Sequence, residues 1–289
     1  DKKKLPDGKY KVFINSYLKK GEMNLGEIYI KGKSKQEIMF STYLCHPSMA
    51  NNELSGPVLS AALAKYIKKN LKKTKYSYRF LFLPETIGSI AYISKNLKSL
   101  KKNVKAGFVL SCVGDERAYS HVESRYGGTL ADQALEAAFI GRKKAKKYSY
   151  LARGSDERQF CYPGVDLPVA GFCKSKYGNY PEYHTSDDNF DLVTSKGLSE
   201  SFDVMKNIID TLEYNKKYKN LMVCEAQLGK RGLYPTLSQK DSKEMYTRCD
   251  VMHYVDGTNN IFEISKIINV SLKKTLEEIK LLKDAKIIE

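Results

Sequence analysis

The chain has 289 residues, 42% of them apolar and 28% charged, which is enough for one large domain with a sizeable core, or for that domain and a small appendage. With 19 Gly and 8 Pro the composition excludes a collagen-like or disordered chain, and no run approaches the length of a membrane span. The net charge of +16 is scattered in Lys doublets rather than gathered in a stripe, which reads as solvated surface before it reads as a nucleic-acid footprint; attraction of anionic substrates stays open.

The first residue is Asp1, not Met, so further sequence upstream is expected, and nothing in the charged opening "DKKKLPDGK" resembles a signal peptide. Residues 9–32 read as a β-hairpin, "KYKVFINSYL" and "LGEIYIKG" around a "KKGEMN" turn. "EIMFSTYL" is a mostly apolar strand that ends just before His46. Ser55 can cap the next helix, with Pro57 in its first turn, and Val58, Leu59, Ala62, Leu63, Tyr66, Ile67 and Leu71 give its apolar stripe. "SYRFLFLPE" is a buried-type strand followed by a helix through "SIAYISKNL", and "VKAGFVLSCVGD" is another strand. "TLADQALEAAF" is helical, "DLPVAGFC" a strand, and residues 195–214 a long closing helix. The alternation predicts an α/β domain over 37–214, a mixed β-sheet flanked by helices, preceded by the hairpin extension at 1–36.

After Tyr214 the character changes. "NKKYKN" reads as a linker, and from Tyr246 the pattern is all helical, with Ile261, Ile264, Ile268, Leu276 and Ile279 as a small core. Short helices joined by tight turns predict a winged-helix-like module within 215–289. Its last helix holds Glu277 and Glu278 among its Lys and no Arg, so protein or intramolecular contact is expected of it before nucleic acid. Six cysteines without a CxxC pair read as reduced thiols in a cytoplasmic protein.

The residues able to hold a metal or move a proton follow strand ends: His46 after one, Glu85 after the next, Asp115 after a third, with Asp156 in "RGSDERQF" and His184 in "PEYHTSDDNF". In open α/β sheets the carboxyl edge is where sites form. His121 and His253 read as ordinary hydrogen-bonded histidines, and no HExxH-type motif is present.

Four ordered stretches, "YLCHPSMANNELSGP", "FLFLPETIGSIAY", "GSDERQFCYPGVDLPV" and "YHTSDDNFDLV", together resemble the co-catalytic zinc aminopeptidases of the bacterial leucyl and Streptomyces type. The chain looks more closely like the aminopeptidase-like domain proteins of bacterial polysaccharide-biosynthesis loci. The resemblance covers about residues 37–212. It maps His46 and His184 onto histidine ligands and Glu85 onto a Glu-Glu doublet that supplies a general base, and it gives Asp156 a supporting or substrate-facing role. The chain departs from the pattern at three places: the bridging Asp is Asn52, the second Glu of the doublet is Thr86, and the carboxylate of the third strand is replaced, with Asp115 a few residues later. The expected cofactor is therefore one zinc ion or none, at His46 and His184 with Glu85 or Asp115, and Asn52 at the weakened position.

The reading that results is a metal-dependent hydrolase of a peptide-like or amide substrate linked to surface polysaccharide synthesis. Two rivals stand beside it: a degenerate peptidase fold that binds a ligand or partner without turnover, and a nucleic-acid-binding regulator acting through the C-terminal module. A homo-oligomer is left open.

Overall fold

Four apolar runs form the middle of a seven-stranded mixed sheet in the computed structural model, which describes residues 4–234 and 242–289. They are β2 (Glu37–Tyr43), β3 (Ser77–Leu83), β4 (Val104–Leu110) and β7 (Val169–Cys173), and neighbouring members pair in parallel in the order β3-β2-β4-β7. Strands covered on both faces read as continuous apolar stretches, not as alternation, which is why they stand out in the sequence. Phe40, Phe80 and Phe108 stack on one face, with ring centroids 4.8 and 5.5 Å apart, and pack with α1 (Ser55–Asn70), α3 (Leu130–Ala138) and α5 (Ser195–Tyr214). Met39, Leu81 and Val109 face α2 (Ile87–Asn103) and the short α4 (Glu157–Phe160) on the other.

The edges differ from expectation. Of residues 9–32 only β1 (Gly26–Ile30) is a strand, and it pairs antiparallel with β3, so the predicted hairpin is not formed. A strand needs a ladder, and β3 offers its open edge to residues 26–30 alone. Phe13, Ile14 and Leu18 stay exposed. β5 (Tyr119–Val122) and β6 (Ala145–Tyr148) complete the far edge; the sequence reading passed over both because they are four residues long.

The entry to α1 is also unlike the expected cap. A π-helical turn, Ala50–Leu54, precedes it, and the Ser55 hydroxyl donates to Asn51 O at 2.5 Å while accepting from Val113 N at 3.0 Å. Ser55 thus ties α1 to the β4 exit and caps nothing. A Cβ on Gly56 would lie 2.3 Å from Thr42 Oγ1 and 2.5 Å from Leu110 O, so only glycine lets α1 approach the sheet this closely.

The C-terminal helices α6 (Ser242–Tyr254), α7 (Ile261–Ile267) and α8 (Leu272–Asp284) share one apolar cluster with α3 and α5. Ile261, Ile264, Leu276 and Ile279 are buried in it, and Ile268 packs half-buried against it. Asn215 Oδ1 accepts from Ile261 N at 3.0 Å, and Gln133 Oε1 from Asn260 Nδ2 at 2.9 Å. Residues 219–221 run beside 287–289, with Lys219 and Glu289 exchanging two backbone bonds of 3.0 Å. The stretch read as a linker is therefore partly built into the fold. Among the described residues no helix is long and apolar enough to cross a membrane.

Candidate active site

The parallel strands deliver their next residues to one edge. At the exit of β2 the Glu53 carboxylate accepts from the consecutive amides of Cys45 (2.9 Å) and His46 (2.6 Å), which folds residues 45–53 back on themselves and fixes the backbone that carries both side chains. At the exit of β3 the chain makes a γ-turn centred on Thr86, φ 65° and ψ −64°, closed by a bond from Ile87 N to Glu85 O of 2.7 Å. A β-branched residue at positive φ costs about 1–3 kcal/mol and persists only where its surroundings hold it. Here Asp156 Oδ1 accepts from Thr86 N at 2.8 Å and from the Ser89 hydroxyl at 2.9 Å, and Arg158 donates to Thr86 Oγ1 at 2.7 Å. Ser155 donates to Glu85 Oε1 at 2.8 Å, which orients the other carboxylate oxygen toward His46.

His46, Glu85 and His184 come together. His46 Nε2 lies 3.9 Å from Glu85 Oε2, and the two imidazole centroids are 5.1 Å apart. His184 has φ 58° and stacks on Tyr183 at 3.9 Å. Asp156 stands behind Glu85 as a brace; burial, with smaller pushes from Glu85 and Glu157, carries its carboxyl up to about 6 against the bonds from Thr86 and Ser89.

The other two expected positions, Asp115 and Asn52, are held in hydrogen-bond networks of their own. Asp115 is fully buried and its two oxygens accept from Asn51 Nδ2 (3.1 Å), Arg117 N (2.9 Å), Ser175 N (2.9 Å) and the Ser175 hydroxyl (2.8 Å), a full complement for one carboxylate. Asn52 is fully buried too, its amide oxygen 3.8 Å from Cys112 Sγ and its Nδ2 without a hydrogen-bond partner. Its backbone N, with that of Asn51, donates to Asp188 at 3.0 and 2.5 Å, so the "HTSDD" loop holds the π-helical turn in place. His121 pairs with buried Asp132 at 2.9 Å and His253 with Cys249 O at 2.8 Å, both structural.

The sequence reading missed Glu53, Ser155, Asp188 and above all Cys45. Cys45 Sγ lies 3.2 Å from His46 Nδ1, and ligand atoms of Cys45, His46 and Glu85 all fall within 4.8 Å of one another. Burial raises the Cys45 thiol to about 11; a bond from Glu85 N opposes this, while the carboxylates of Glu85, Glu53 and Asp156 add to it. The carboxylates of Glu85, Glu53 and Asp156 gather around Cys45, with the Arg158 guanidinium bound to Thr86 Oγ1 at the margin. The donor set of the pocket fits one metal ion at His46; with Asn52 neutral and Asp115 saturated it does not fit two.

Comparison with known proteins agrees with this fold. A Clostridium acetobutylicum protein named as a candidate polysaccharide biosynthesis protein with aminopeptidase-like domain is 41% identical over 266 residues, 90% of this chain and 60% of its own length. The crystal structure of a candidate peptidase from the same species superposes with TM-score 0.81 at 37% identity, over 92% of this chain and 60% of that one. The zinc aminopeptidase of Bacillus subtilis shares the fold at TM-score 0.53 and 19% identity, over 64% of this chain and 48% of its own. The chain thus spans about 60% of the length of the Clostridium relatives it matches. Residues 216–289 match the winged helix-turn-helix family. By its match over residues 4–215, the chain belongs to the family described as a domain of unknown function, DUF4910.

Proposed function

We propose that the aminopeptidase-like domain hydrolyses a peptide or amide bond with one zinc ion, held by His46 and His184. The observation that carries this reading is the meeting of His46, Glu85 and His184, from three segments 39 and 99 residues apart, at the carboxyl edge of the parallel strands. A zinc ion bound there would supply Lewis acidity toward an amide carbonyl and nearby water. Glu85 Oε2 takes the proton of the attacking water and passes it to the leaving amine, while Ser155 holds Oε1 in place. Asp156 acts through Glu85, by keeping the Thr86 turn closed. The name of the 41%-identical Clostridium relative supports a substrate from polysaccharide synthesis, such as an amide-bearing sugar precursor.

The test is an amide-release assay on a panel of aminoacyl and N-acyl-sugar amides with zinc present. Wild-type protein should release amine, and Glu85→Gln should lose at least about 100-fold of that rate with its fold intact. Zinc binding without release from any member of the panel would favour a binding role on the same fold.

A further inference from the structure

We propose that the thiolate of Cys45 is a ligand of the metal held at His46, supplying the negative charge that Asn52 does not; this rests on the metal-dependent reading above. A dication in a partly dry cleft wants an anionic donor. Asn52 supplies none, Asp115 is committed to four hydrogen bonds, and Glu85 is the proton carrier. Cys45, beside His46 and Glu85, can supply one. Its Sγ lies 3.2 Å from His46 Nδ1, a separation one ion can bridge with Zn–S of about 2.3 Å and Zn–N of about 2.0 Å, and a Glu85 carboxylate oxygen stands within 4.8 Å of both residues, beside the ion it would serve as base.

The placement is built. Glu53 binds the amides of Cys45 and His46 together, so the loop that aims the imidazole also aims the thiol. Cys112, Cys161 and Cys173 are buried and Cys224 and Cys249 belong to the C-terminal segment, which leaves Cys45 as the cysteine that opens onto this pocket. On binding, the S–H bond breaks, its proton leaves to solvent, and the sulfur lone pair forms the metal bond, with no change of oxidation state. A thiolate beside imidazole selects zinc, cobalt or cadmium over magnesium, calcium or manganese.

The test uses the full chain loaded with Co(II). Wild type and the remote-thiol control Cys224→Ser should show a near-ultraviolet sulfur-to-cobalt charge-transfer band, and Cys45→Ser should lose the band and bind Co(II) at least tenfold more weakly. Zinc, but not magnesium, should also slow alkylation of Cys45 by iodoacetamide in the wild-type protein, a readout that needs no variant. Co(II) bound in a His46-dependent way but without the band, or alkylation unaffected by zinc, overturns the thiolate ligand while leaving the metal site standing. Absence of any Co(II) binding, or binding unaffected by His46→Ala, overturns both.

Discussion

Asp156 holds the Thr86 turn at a cost that depends on pH. Its folded-state pKa of about 6 lies above the ordinary 3.8, chiefly because burial penalises the charged form. The native state therefore binds the proton more tightly, and the stability this gives is fully present below pH 3.8 and lost as pH rises through about 6. Asp156→Asn keeps an oxygen for Thr86 and Ser89 but cannot ionise. In metal-free protein, wild type should lose about 2 kcal/mol relative to this variant between pH 4 and pH 7 in denaturant titrations; parallel pH profiles would contradict the assignment. His46, Glu85 and His184 were legible because each sits in a motif and follows or borders a strand end. Asp115 offered the same local signal, yet its carboxylate turns inward to Asn51 and Ser175. Cys45, Glu53 and Ser155 carried no signal, since their roles arise from approaches such as Ser155 to Glu85, 70 residues apart.

At the scale of elements, the site depends on how closely α1 lies on the sheet and how α3 is anchored. Gly56→Ala forces a methyl into Thr42 and Leu110 and should cost about 2–3 kcal/mol, whereas Gly164→Ala, with nothing within 4 Å of the new methyl, should stay within about 0.5 kcal/mol. Chemical denaturation midpoints of the two variants check this. At the start of α3, Asp132 closes a capping box with Thr129 and receives bonds from His121 and Ser124. Burial alone would raise its carboxyl, but these bonds outweigh it and carry it down to about 2. That contribution is present above pH 3.8 and lost as pH falls through about 2. Asp132→Ala should cost about 3 kcal/mol at pH 7, because it removes the carboxylate half of the capping box with Thr129 and leaves His121 and Ser124 buried without their partner; a loss under about 1 kcal/mol would contradict the role. The four parallel strands were legible as apolar runs. β6 was not: "AKKY" is largely exposed, pairs only with β5, and has no apolar period to read.

Over the whole molecule, the C-terminal helices complete the core that α3 and α5 begin. Asn215, Gln133 and Glu136 bond or pair with Ile261, Asn260 and Lys266 across the junction. A chain cut after residue 215 should lose stability and solubility, because the apolar faces of α3 and α5 would meet water; unchanged thermal unfolding of the shortened chain would show the two parts to be independent. The helical module was legible in its isoleucine spacing, and its docking on the first domain was expected because so short a segment buries little surface alone; the face it docks against, α3 and α5, was not, since apolar periodicity shows that a face is buried and not what it is buried against. The central claim concerns the sheet edge: one metal site, centred on His46. Elemental analysis after equilibrium dialysis against zinc tests it most directly. Wild type should retain about one zinc per chain, and His46→Ala and His184→Ala should each bind it at least about tenfold more weakly. Two tightly held zinc ions per wild-type chain, or zinc content unchanged in His46→Ala, would contradict it.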